Sequence, residues 1–167
     1  MERHIRDIDR LVDDKLVAVD SGHAVNQSLK WLPLLALLVC SCRENKAEII
    51  RQAKILGLSE VLALTVLESC SRFLPRKRPD PSMAADSFPS GHTAQAFLGA
   101  ELLRQRMKGT SRLVGMGGYG VAIAMAALRL MNKKHWLTDV VAGAVLGAGC
   151  AKLATLLLDN HTYRQGQ

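Results

Sequence analysis

The chain has 167 residues, enough for one domain with one core, and carries a formal charge of +7. That charge suits phosphate or a membrane surface and excludes nucleic acid, because the basic residues stand in short clusters between apolar runs without interleaved aromatics. Apolar residues make up 49% and aromatic ones only 4%, so burial rests on Leu, Ala, Val and Gly, a mix that favours closely packed helices.

Residues 1–28 set Ile5, Ile8, Val12, Leu16 and Val19 at steps of three and four among charged residues. This is the pattern of an amphipathic helix, one that lies on a membrane surface or packs on the domain. The segment lacks the apolar core and small-residue cleavage site of a signal peptide, so no cleaved leader is expected. Five apolar stretches follow, at about 31–42, 55–70, 94–103, 113–128 and 136–158. Only the last two approach the roughly 20 residues that cross a hydrocarbon core; the others need their polar flanks.

Regular spacing, and short links rich in Arg and Lys, favour membrane helices over a soluble helical domain. The expected fold is an all-α compact bundle of about five membrane-embedded helices behind the N-terminal amphipathic one. It forms a single domain over 1–167, with its core at 29–158 and a polar tail at 159–167. Two apolar stretches separate the 71–93 link from the 129–135 link, so if both cross, the links emerge on the same face. Counting Lys and Arg does not say which face that is.

Cys40, Cys42, Cys70 and Cys150 lie in or beside apolar runs without paired C-x-x-C spacing, and read as small buried hydrophobes. Gly115, Gly117 and Gly120 spell a dinucleotide fingerprint, but no strand precedes them and no acidic residue follows at the right distance. Gly143 and Gly147, four apart, let helix backbones approach.

Chemistry concentrates in three pieces of chain. In Ser87-Phe88-Pro89-Ser90-Gly91-His92-Thr93, Ser90 is a helix N-cap, and Gly91 lets backbone approach a ligand. The N–H groups and dipole there welcome an anion, to which His92 can pass a proton. Upstream, Arg72, Arg76, Lys77 and Arg78 precede Pro79 in a basic run. Downstream, Arg129 is followed by His135 and Asp139, the last two four apart and so on one helical face. The carboxylate of Asp139 is then expected to accept from one ring nitrogen of His135 and leave the other facing a cavity. A metal held by His92, His135 and Asp139 fits poorly among so many cations, whereas an anion uses every group.

These pieces resemble the type 2 phosphatidic acid phosphatase superfamily, which includes bacterial acid phosphatases and vanadium haloperoxidases. Its signature is Lys, six residues, Arg-Pro; then Pro-Ser-Gly-His; then Ser-Arg, five residues, His, three residues, Asp. The chain has Arg78-Pro79, Pro89-Ser90-Gly91-His92, and Arg129, His135 and Asp139 at the same spacings. Two positions depart: Ser71 stands where the signature has lysine, with Arg72 one step off, and Leu128 stands where it has serine. The resemblance implies a metal-independent, cofactor-free phosphatase acting on a lipid phosphate or diphosphate. In it His135 is the nucleophile, Asp139 its orienting acid and His92 the proton donor, while Arg78, Ser90, Gly91 and Arg129 hold phosphate oxygens. It also implies an integral protein of the cell membrane with its site facing away from the cytoplasm. The alternatives are a soluble acid phosphatase, or a binder or scaffold that keeps the fold but turns over weakly.

Overall fold

A computed structural model describes residues 2–18, 22–41, 44–82 and 84–165, with side chains over 5–18, 28–41, 44–82 and 84–159. The elements are α1 (Glu2–Lys15), α2 (Gly22–Ser41), α3 (Lys46–Phe73), α4 (Gly91–Met107), α5 (Arg112–Met131) and α6 (Leu137–Gln165). Among the described residues there is no strand, only an isolated bridge between Arg76 and Asp86.

The all-helical expectation is met, with shifted boundaries at both ends. The amphipathic segment is shorter than 1–28: α1 closes at Lys15, and α2 opens at Gly22, well before the apolar run at Trp31. Asp9 on α1 is buried while Ile5, Ile8 and Leu11 are exposed, so the packed face turns on a carboxylate as well as on apolar residues. At the other end α6 runs on to Gln165, through most of the expected polar tail. Val19, Cys42 and residues 166–167 lie outside the described residues.

Local signals account for the helix starts. Asn45 caps α3 by accepting from the Glu48 amide at 2.9 Å, and Ser111 caps α5 by accepting from Val114. Helix α4 lies at the centre, packed against α2, α5 and α6. Its Ala94, Ala96, Leu98, Ala100 and Leu103 are almost wholly buried. The approach of α6 is close because of two glycines: a Cβ on Gly143 would stand 2.5 Å from the Ser90 carbonyl oxygen, and one on Gly147 2.0 Å from that of Ala94. The spacing of these glycines thus serves helix contact, as expected, and presses α6 onto the first turn of α4.

Two helical segments, Arg112–Met131 and Leu137–Asp159, are long and apolar enough to cross a membrane. The apolar part of α2, Ser28–Ser41, is too short by itself. Helix α3 is long enough, but Glu48, Arg51, Lys54, Glu60, Glu68 and Arg72 interrupt it. Length and composition by themselves thus mark two candidate spans among the described residues.

The link between α3 and α4 folds back on itself. Arg78 donates its amide to the Ala84 carbonyl at 2.9 Å, and Ser87 donates to the Arg76 carbonyl at 2.9 Å. This closure brings Arg76, Arg78, Asp86 and Ser87 together at the mouth of the bundle, beside the short link between α5 and α6.

Candidate active site

Ser90 precedes α4 in the extended backbone of an N-cap, but its side chain makes no capping hydrogen bond; Gly91 and His92 form the first turn. The Ser90 amide donates to the Asp139 carbonyl at 3.0 Å, which staples the start of α4 to the start of α6. Beside this junction lies a cavity of about 260 Å³ whose lining includes Arg78, Asp86, Gly91, His92 and His135. The two links expected on one face thus meet at one cavity.

His135 is 4% exposed, and the position of its ring proton follows from its neighbours. Nδ1 lies 2.8 Å from the Ser87 carbonyl oxygen, which can only accept, so Nδ1 carries the hydrogen. Nε2 then presents its lone pair 3.2 Å from Nη2 of Arg129, which can only donate. Burial, then the guanidinium of Arg129, holds the imidazole pKa down at about 3. The ring is neutral at ordinary pH, with a nucleophilic nitrogen beside the cavity.

Arg129 is 6% exposed and has no carboxylate in ion-pair range among the described residues. Its Nε is buried and without a hydrogen-bond partner among them. A buried guanidinium left this way is costly unless an anion comes to it. Arg78, by contrast, already has one: Nε and Nη2 fork onto the Asp86 carboxylate at 2.8 and 2.9 Å. Those bonds hold the Asp86 pKa below the usual carboxylate range.

The expected hydrogen bond between Asp139 and His135 is replaced by a longer route. Sharing a helical face requires both residues to be helical, but α6 begins at Leu137 and His135 lies in the link before it. The fully buried Asp139 carboxylate accepts instead from Ser87 Oγ at 2.5 Å, from the Trp136 amide at 3.0 Å and from Arg76 Nη1 at 2.5 Å. Asp139 thus holds Ser87, and the Ser87 carbonyl holds the ring.

Of the other expected residues, Gly91 lines the cavity, and a Cβ there would meet nothing nearer than Leu67 at 4.0 Å. Helix packing therefore does not demand glycine at 91. The Ser90 side chain is buried, with Oγ 2.9 Å from Thr93 Oγ1, and is not part of the lining. Arg72 is also absent from the lining: it is 71% exposed and paired to Glu68 at 3.0 Å. Ser71 and Glu68 line the cavity instead.

Sequence reasoning missed Glu68, Arg76, Asp86, Ser87 and Asp9. Arg76, Asp86 and Ser87 lie within or next to the three pieces of chain. Asp9 left a signal of its own, an acid set into the apolar steps between Ile5 and Val12. Among the described residues no group of three or more His, Cys, Asp or Glu is arranged to hold a metal ion.

The model of the PAP2 superfamily matches residues 59–163. The chain is similar to a lipid A 1-phosphatase of Porphyromonas gingivalis, 39% identical over 84 residues, which are 50% of this chain and 19% of that protein. The match therefore spans about a fifth of that curated relative's length. In fold it is similar to a crystal structure of Aquifex aeolicus LpxE, with a TM-score of 0.65 at 20% identity, covering 89% of this chain and 92% of that one.

Proposed function

The chain belongs to the PAP2 superfamily, and from that premise we propose that it is a phosphatase that removes the phosphate, or the terminal phosphate of a diphosphate, from a lipid. The observation that carries this reading is the buried pair of Arg129 and His135. A guanidinium with no carboxylate in ion-pair range among the described residues, and with its Nε unbonded, stands 3.2 Å from the unprotonated nitrogen of a neutral imidazole.

In the proposed reaction Nε2 of His135 attacks phosphorus, and the bond to the leaving oxygen breaks as His92 gives that oxygen a proton. His92 then takes a proton from water, whose oxygen attacks the phosphohistidine to release inorganic phosphate and restore the ring. Arg78, Arg129 and the Gly91 backbone stabilise the charge on the phosphoryl oxygens, while Ser90, expected among them, holds the turn through Asp139 and Thr93. No metal or cofactor enters. Lipid A, as the name of the Porphyromonas relative suggests, is one member of the substrate class; phosphatidate and polyprenyl diphosphates are others.

The reading includes a membrane setting with helices α2 to α6 embedded. Leu35, Leu38 and Val39 of α2, Val61 and Leu64 of α3, Leu113, Met116 and Ile123 of α5, and Val145, Leu156 and Leu157 of α6 are all exposed, around a buried α4. An outer shell of this kind suits lipid better than water. We take the cavity to face away from the cytoplasm, as the family resemblance implies.

A second reading, a weakly active lipid-phosphate binder, draws on one feature. The lysine of the family signature is replaced by Ser71, and the cavity carries the carboxylates of Glu68 and Asp86. Phosphate release from a panel of lipid phosphates, with and without EDTA, separates the readings. The phosphatase gives EDTA-insensitive release that His135→Ala abolishes, together with an acid-labile phosphoenzyme at single turnover. Release that survives His135→Ala overturns the mechanism, and none from any lipid favours the binder.

A further inference from the structure

We propose that the N-terminal helix belongs to the catalytic apparatus: Asp9 of α1 and Arg76 of the α3–α4 link are positioning residues that fix His135 through Asp139 and Ser87. The inference rests on the reading of His135 as nucleophile.

The atoms form one continuous chain. Asp9 accepts from the Thr138 amide at 3.0 Å and from Thr138 Oγ1 at 2.8 Å, so α1 caps the start of α6. Its second oxygen also takes Arg76 Nη2 at 2.5 Å. The other arm of that guanidinium, Nη1, donates to Thr138 Oγ1 at 2.6 Å and to Asp139 at 2.5 Å. Asp139 in turn receives Ser87 Oγ, and Ser87 offers its carbonyl to the ring. Both carboxylates are nearly inaccessible, at 1% and 0% side-chain exposure. Arg76 also stacks over Trp136, with its guanidinium carbon 5.6 Å from the ring centroid.

This layout differs from a plain anchor in where its force is applied. One guanidinium is shared between two buried carboxylates, one on the helix that carries the orienting acid and one on a helix far away in sequence. Removing Asp9 leaves half of the Arg76 fork without its anion, and Arg76 can then swing or draw both Asp139 oxygens to itself. Either movement releases Ser87, and with it the ring proton that keeps Nε2 aimed at the cavity. A second tie holds α1 against the same link. Lys133, in left-handed conformation at φ 53, pairs with Asp13 at 2.9 Å, and Val12 and Leu16 pack with Leu130 and Trp136 beneath His135.

The test uses the whole chain in detergent with p-nitrophenyl phosphate, so that lipid presentation does not enter. Asp9→Asn keeps the shape of the side chain but sets an amide against Arg76 and Thr138. We expect kcat to fall about 10- to 50-fold, with KM and inhibition by inorganic phosphate within about threefold, because the phosphate contacts are untouched. Arg76→Gln should lower kcat similarly, and the double variant no further than Arg76→Gln alone, since both act through one chain. If Arg76→Gln does not fold, Thr138→Val replaces it in the cycle. Effects that multiply in the double variant overturn the inference, as does a kcat per folded molecule within twofold of the parent in Asp9→Asn. His135→Ala separates the two levels. Inactive His135→Ala beside unaltered Asp9→Asn sinks the inference alone, whereas turnover surviving in His135→Ala sinks the reading of the site and the inference together.

Discussion

Helix α4 has a buried carboxylate cluster near each end, and the two are built for different purposes. At the far end, about 15 Å along the axis from Gly91, Glu101 is fully buried and satisfied from its own neighbourhood. Arg104 forks onto it at 2.7 and 2.8 Å, Gln105 donates at 3.0 Å, and Tyr119 of α5 at 2.5 Å. Every donor comes from the same helix or the one packed on it, and no histidine is involved. At the near end, Asp139 collects Arg76, Ser87 and the Trp136 amide from separate pieces of chain, and the product is an oriented imidazole beside a cavity. Burial of an acid is common to both ends. What marks a site is that the bonds converge on a reactive atom and leave one charge, Arg129, waiting for an anion.

The sharpest way to break that contrast is to remove one charge from each cluster. Asp139→Asn should lower kcat on the order of 10³-fold, short of the 10⁴ seen when an acid bonded directly to a catalytic histidine is amidated, because Asp139 acts through Ser87. Glu101→Gln should leave turnover within about twofold and cost about 2 kcal/mol in unfolding free energy, since a charge-assisted bond becomes a neutral one. Steady-state kinetics and denaturant unfolding on both proteins decide it; comparable losses of kcat would erase the distinction. Next in size, Arg129→Gln should lower kcat/KM by about 10² to 10³, by analogy with removing one oxyanion donor. A change below tenfold would mean that the orphaned guanidinium serves packing alone. Smaller again, Gly91→Ala should raise KM by about tenfold while leaving Tm within a degree or two, because the helix has room for the methyl but an approaching phosphate does not.

The sequence carried most of the proposed site because its parts are marked by residue types that have few structural uses. Gly91-His92 after a proline, Arg78-Pro79, and Arg129 with His135 and Asp139 at fixed spacing could be read without coordinates. The helices could be read from their apolar runs, and Gly143 and Gly147 from their interval of four. What could not be read depends on three dimensions. The Asp139–His135 bond was expected from helical spacing, and it fails because the helix begins after His135. Arg78 with Asp86, and Asp9 with Arg76, are pairs between links whose folding no local pattern encodes. The extent of membrane embedding is hard to read for another reason: α3 and α4 mix charges into their lengths, and whether those charges face protein or lipid is decided by packing.

A last prediction refines the same contrast from the side of stability. With its pKa at about 3 in the folded chain, against an ordinary value near 6.5, His135 is kept neutral at a pH where the unfolded chain would protonate it. Between those values the unfolded state binds one proton more than the folded state, so stability rises with pH across the window and falls as the solution is acidified. The full contribution of one such group is a slope of about 1.4 kcal/mol per pH unit. His135→Asn cannot take up that proton, and its unfolding free energy should lose this part of the slope between about pH 4.5 and 6.5, where the remaining slope comes from carboxylates common to both proteins. Denaturant unfolding in detergent at several pH values measures the difference. If the slopes coincide, His135 titrates in the folded protein as it does in water, and burial beside Arg129 is not what keeps its ring neutral. If they diverge as expected, the near end of α4 is less stable in acid for the same reason that it is reactive: a base has been buried among cations, while the carboxylate at the far end is surrounded by its donors.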